Sequence, residues 1–223
     1  MTSGRQPFSR QSLSDLFRVL AERMAAEQTY LADLDGEIGD ADHGVAMSGG
    51  FCAAARALQE TDGEGQTLAQ GLALAASSLL NAVGATTGPL YASALLRAGQ
   101  VCGAERRLPF GRLPELVIAM AEGIELRGKG RPGDKTMVDA WAPAAHAARA
   151  GLAAGHETAT ILRHAAKAAA DGAEATRAMM ASKGRAARLG ARTIGHLDPG
   201  AVSAAALLDS LAFWATGPTD GGG

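Results

Sequence analysis

Three aspartates fall within eight positions in the run Leu34-Asp35-Gly36-Glu37-Ile38-Gly39-Asp40-Ala41-Asp42-His43-Gly44. The interspersed glycines permit turns that other residues resist, so the three carboxylates can converge on one point. Carboxylates held that close repel one another unless a cation sits between them. Hard oxygen donors suit magnesium or calcium better than zinc. An EF-hand is excluded, because its glycine at loop position six and its bidentate Glu at position twelve cannot both be placed here. The plainer reading is an acidic solvated turn whose Asp residues cap the next helix. Spacing alone does not choose between the two, and a lone histidine such as His43 is more often a capping or surface residue than a ligand.

Three more glycine-bearing segments carry polar chemistry. Gly84-Ala85-Thr86-Thr87-Gly88-Pro89 precedes a helix, so its hydroxyls and free N–H groups suit a phosphate; a helical turn with Thr caps fits it equally well. In the run from Arg127 to Thr136, Gly128 and Gly133 have the separation of a Walker A loop, but Asp134 intrudes before Lys135. No strand precedes it, so a P-loop is excluded and a basic loop beside a nucleotide stays open. Arg185, Arg188 and Arg192 lie on one turn-helix segment, whose ordinary role is a solvated cationic face. Gly195-His196-Leu197-Asp198-Pro199-Gly200 is a tight turn leading into a last helix. Together the four segments suggest a Mg–nucleotide site built from loops at one end of a helical domain.

The elements that must hold these loops are helical. Of 223 residues, 47% are hydrophobic and only 4% aromatic, with alanine used throughout, which favours closely packed helices over sheets. Apolar periodicity predicts helices over 13–31 (capped by Ser12 or Ser14), 45–58, 67–83, 90–101, 113–126, 157–180 and 201–214. A further helix is capped by Asp134 and passes Met137 and Trp141, with Pro143 a kink or early stop. The Gly- and Asp-rich segment 33–44 reads as a break. That makes about eight helices, no convincing strand and no repeat: one all-α domain over 1–223, an antiparallel up-and-down bundle or barrel. Residues 1–11 and 217–223 are expected to be flexible tails. A formal net charge of −2 argues against a nucleic-acid surface. Two cysteines, Cys52 and Cys102, imply no disulfide framework, and no leader or membrane span is legible, so the expected setting is cytoplasmic.

In combination, LDGEIGDADHGVAM (34–47), VGATTGPLYASALLRA (83–98), RGKGRPGDKTMVDAWAP (127–143) and SKGRAARLGARTIGHLDPGA (182–201) resemble the ADP-binding L subunit of dihydroxyacetone kinase. The resemblance spans almost the whole chain and implies an eight-helix up-and-down barrel with the nucleotide at one end. It implies that Asp35, Asp40 and Asp42 hold two Mg²⁺. It also maps ADP or ATP contacts onto His43, Gly44, Val45, Ala46, Thr86, Thr87, Gly128, Met137, Arg185, Asp198, Pro199 and Gly200. Ala46 stands where the family usually has Asn, and the Thr86-Thr87 pair replaces smaller residues. The implied reaction is phosphoryl transfer to dihydroxyacetone or a similar short ketose held on a separate K subunit. In one version bound ADP is rephosphorylated by a phosphohistidine carrier, the M subunit; in the other ATP exchanges freely. A homodimer, and a regulatory role on a transcription factor, are the competing expectations for partners.

Overall fold

Nine α-helices form in residues 6–83 and 86–217, the part of the chain that the computed structural model describes. They are α1 (Arg10–Ala26), α2 (Gln28–Ile38), α3 (His43–Glu60), α4 (Leu68–Ala82), α5 (Thr87–Cys102), α6 (Leu113–Gly128), α7 (Val138–Ala153), α8 (Thr158–Ala175) and α9 (Pro199–Thr216). The Glu27 N–H reaches the Arg23 carbonyl at 3.0 Å and the Leu31 N–H reaches the Glu27 carbonyl at 2.9 Å, so α1 and α2 are one rod bent at Glu27. Eight rods result. Each packs on the next, and α9 returns to α1, which closes an up-and-down ring.

Short side chains let the rods approach closely. Ala54, Ala75, Ala94, Ala140, Ala144, Ala148, Ala165, Ala169, Ala201 and Ala204 are all fully buried. Across the interior runs a file of rings from four rods: Phe17 lies 6.2 Å from Phe51, Phe51 5.5 Å from Tyr91, and Tyr91 6.3 Å from Trp141. Larger aliphatic residues such as Leu13, Leu72, Leu95 and Val117 fill the space around them. Among the described residues no helix is long and apolar enough to cross a membrane.

Several local expectations are corrected. The segment 33–44 is not a break: Leu31, Leu34 and Ile38 recur on one buried face and carry the helix to Ile38, despite Gly36. Only residues 39–42 turn. The cap of α1 is Ser9, whose hydroxyl accepts from the Ser12 N–H, and not Ser12 or Ser14. Residues 8–11 of the expected leading tail are ordered. Phe8–Ser9 (β1) pairs antiparallel with Arg107–Leu108 (β2), a two-residue ladder where no strand was expected. Phe8 is 1% exposed and meets the Trp214 ring edge-on at 5.7 Å. The expected tails at 1–5 and 218–223 lie outside the described residues. Pro143 neither stops nor ends α7, because the carbonyl it frees, that of Asp139, points at Gly172 on α8, where a Cβ would overlap it. Asp134 does not cap α7. Its carboxylate accepts from the Arg131 N–H at 2.8 Å and the Ser182 hydroxyl at 2.6 Å, and the helix begins four residues later.

Candidate functional site

Parity of the rods builds the site. In an up-and-down ring that starts with the bent α1–α2 rod, the N-termini of α3, α5, α7 and α9 share one end. All four segments singled out by their glycines lie at that end, except that Gly84 and Ala85 fall outside the described residues. Between them opens a cavity of about 300 Å³. Its wall takes His43 from the start of α3, Thr86 and Thr87 from the start of α5, Met137 and Val138 from the start of α7, and Pro199 and Gly200 from the start of α9. Four helix N-termini turn the positive ends of their dipoles toward it, which favours negative charge there.

The acidic cluster forms one side of the mouth. One carboxylate oxygen from each of Asp35, Asp40 and Asp42 lies within 4.8 Å of the others. Asp35 belongs to the last turn of α2, and its Oδ2 accepts the N–H groups of Asp42 (2.9 Å) and His43 (3.2 Å), so it caps α3. Between Asp40 and Asp42 the backbone turns through Ala41 at φ +61°, a left-handed conformation unusual for a residue with a Cβ. Asp40 and Asp42 both accept from Nη1 of Arg185, the latter at 2.9 Å. Burial, and the Asp35 charge beside it, push the Asp42 carboxyl above its ordinary value. Three oxygen donors with a cation drawn onto two of them fit a hard divalent ion.

Beneath the mouth the wall turns apolar, with Leu90, Ile124, Met137 and Val138 forming a slot. His43 is buried below Asp42, its Nε2 2.9 Å from the Ser203 hydroxyl, which itself donates to the Gly200 carbonyl. Burial holds its imidazole below the ordinary value, against the pull of Asp35. Asp198 caps α9 by accepting the Ala201 N–H at 2.7 Å. Burial pushes its carboxyl up to about 7, with the charges of Asp139 and Asp35 adding to the rise.

Twelve of the residues anticipated from the sequence line this cavity: Asp35, Asp40, Asp42, His43, Thr86, Thr87, Gly128, Met137, Arg185, Asp198, Pro199 and Gly200. Gly44, Val45 and Ala46 do not. Gly44 is buried where α3 crosses α2, and a Cβ there would overlap the Gln28 carbonyl; Val45 is exposed; Ala46 packs against the core. Their backbone forms the first turn of α3, with the N–H of Ala46 committed to the Asp42 carbonyl.

Lys135 was missed. Its side chain is 1% exposed, and its ammonium donates to the carbonyls of Thr176, Met179, Thr193 and His196. Those four carbonyls belong to the long connection between α8 and α9, which carries Arg185 and Asp198. A lysine in a glycine-rich basic loop gives no sequence sign of burial, so nothing short of the fold marks it. Lys183, Thr136 and Gly130 also line the cavity, and so do Leu90, Ile124 and Val138, apolar residues that nothing in the sequence sets apart from core.

Residues 37–213 match the family model of the DAK2 domain. Over 189 residues the chain is 37% identical to the PEP-dependent dihydroxyacetone kinase ADP-binding subunit DhaL of Escherichia coli K12, covering 85% of this chain and 89% of that one. Over 190 residues it is 36% identical to an ADP-binding subunit DhaL of Listeria innocua, covering 85% and 89%. Its fold matches the crystal structure of the C. freundii dihydroxyacetone kinase in complex with AMP-PNP and Mg²⁺, with a TM-score of 0.70 at 26% identity. That match covers 96% of this chain and 36% of the larger one.

Proposed function

This chain belongs to the DAK2 domain family, and on that premise we propose that it is the nucleotide-binding subunit of a kinase for dihydroxyacetone or a similar short ketose. The observation that carries the reading is the gathering of Asp35, Asp40 and Asp42 at the rim of a cavity ringed by four helix N-termini. The apolar slot of Leu90, Ile124, Met137 and Val138 takes the base of ADP or ATP, and the phosphates lie toward the mouth. Asp35, Asp40 and Asp42 would hold two Mg²⁺, which supply charge neutralisation to the transferring phosphoryl group. Thr86 and Thr87 offer hydroxyl and N–H donors at the start of α5. Arg185 pairs with the phosphates from the rim, where a planar guanidinium binds two oxygens at once.

The sugar comes on a K subunit. Among the described residues that line the cavity, the buried histidine and carboxylate are already engaged: His43 is tied to Ser203 and Asp198 caps α9. The mouth is open to water, and a partner that closes over it gives phosphoryl transfer the dry surroundings it needs. Exposed Lys129 and Arg131 on the α6–α7 connection, and Arg188 on the α8–α9 connection, belong to the cavity's end of the ring and favour an acidic partner face, so docking weakens as salt is added. The phosphoryl donor that recharges the site is a phosphohistidine carrier of M-subunit type or exchanging ATP.

Native mass spectrometry of the purified chain tests the proposal. Retained ADP with two Mg²⁺ is expected, and Asp40→Asn should lose both while the helical circular-dichroism signal stays intact. Full nucleotide retention by that variant would refute the metal seat. In a coupled assay with ATP, Mg²⁺ and dihydroxyacetone, turnover should require added K subunit.

A further inference from the structure

Arg185 engages two of the three carboxylates that a divalent ion at this cluster would need. Its Nη1 donates to the Oδ2 of Asp40 and, at 2.9 Å, to the Oδ2 of Asp42. Asp35 turns its Oδ2 inward onto the N–H groups of Asp42 and His43, so the two carboxylates that face the mouth are the two that hold the guanidinium. The chain supplies a partial counter-charge to its own acidic cluster. These pairs are built to exchange, since the side chains are 56% (Arg185), 48% (Asp40) and 46% (Asp42) exposed, and ion pairs so open to water are weak.

Building on the reading of this cluster as a Mg²⁺ seat, we propose that Arg185 is its resident counter-ion, and that metal and guanidinium compete for Asp40 and Asp42. Entry of the metal displaces the arginine, and the displaced guanidinium finds its next anion in the phosphates that arrive with the metal. The exchange leaves neither the two carboxylates nor the guanidinium without a counter-charge. Bare metal must expel the arginine into water, whereas metal carried by a nucleotide offers it a new partner. The arginine therefore opposes binding of the metal alone and favours binding of the metal–nucleotide complex. A residue that only contacted phosphate would leave metal affinity in the absence of nucleotide untouched.

The two roles have opposite signs in one variant. Nucleotide-stripped protein is titrated with Mn²⁺ alone, and free Mn²⁺ is read by electron paramagnetic resonance. Arg185→Gln should bind Mn²⁺ about three- to tenfold tighter than the parent, the scale of freeing two exposed ion pairs. The same variant should bind Mn²⁺–ADP more weakly. Arg192→Gln, on the same segment, exposed and making no ion pair among the described residues, controls for the general field and should match the parent. Unchanged or weaker Mn²⁺ affinity in Arg185→Gln overturns the competition, as does equal tightening in Arg192→Gln, and either leaves the nucleotide-subunit reading standing. Absence of Mn²⁺ and nucleotide binding in every protein overturns both.

Discussion

Replacing Lys135 by Met keeps the length of the side chain and removes its charge and donors. The ammonium now serves four backbone carbonyls, at 2.7 Å (Thr176), 3.2 Å (Met179), 2.7 Å (Thr193) and 2.5 Å (His196). Hydrogen bonds from a charged donor contribute about 1.5–3 kcal/mol each, and orphaned buried acceptors cost about 1–3 kcal/mol. Against this stands the desolvation of the ammonium, several kcal/mol by the usual reckoning, which the variant no longer bears. Burial also holds the Lys135 pKa below its ordinary value, which registers the same cost. The balance is a net loss of about 3–5 kcal/mol, the range seen when one partner of a buried charged contact is removed. At about 2–4 °C per kcal/mol for a chain of this size, the melting temperature should fall by about 10 °C. Because the lost contacts tie down the connection that carries Arg185 and Asp198, nucleotide affinity should fall as well. Scanning calorimetry with and without Mg²⁺–ADP reads both. A melting temperature within about 2 °C of the parent, or unchanged nucleotide affinity, would refute the role assigned to this lysine.

Phe8→Ala should destabilise the fold by about 3–5 kcal/mol, because a buried ring packed on Trp214 is removed; a change under about 1 kcal/mol in a urea titration would return this segment to a surface role. Gly44→Ala forces a methyl into the Gln28 carbonyl and should cost about 1–3 kcal/mol while shifting α2, and Asp35 with it, away from the seat; weakened Mn²⁺ binding checks the second part. Asp198 keeps its proton in the folded chain up to about 7, but releases it near 3.8 when unfolded. The folded state therefore binds more protons between those values, and stability from this group is full below them and lost as the pH rises through about 7. The melting temperature of the metal-free chain should fall between about pH 4 and pH 7, and Asp198→Asn should flatten that fall.

What the sequence made legible was periodicity and punctuation. Helical spacing gave the rods, including 13–31 as one unit, which the structure keeps continuous through the bend at Glu27. Glycine-rich breaks marked the loops of the working end, and the aspartate triad was visible because like charges at such spacing need a reason to be together. What escaped depended on contacts far apart in the chain. Phe8 looked like part of a tail because its partners, Leu108 and Trp214, are a hundred and two hundred residues away. Lys135 looked solvated because its four acceptors come from positions 176–196. The segment 33–38 looked like a loop because Gly36 outweighed the buried face of Leu31, Leu34 and Ile38. Gly44, Val45 and Ala46 were carried by the resemblance, and in the structure they serve helix packing and the first turn of α3.

An even number of rods has a topological consequence. The entry to α1 and the exit of α9 must emerge together, at the end away from the cavity, and the contact of Phe8 with Trp214 puts them side by side. A covalent connection to a further module would set out from the face opposite the mouth. A module fused at either end, or a circular permutant joined there and reopened in the far-end turns near 61–67 or 154–157, keeps all four N-termini and the aspartates in place. On the proposed function the barrel is in this sense a cartridge, loaded and docked from one face and tethered from the other.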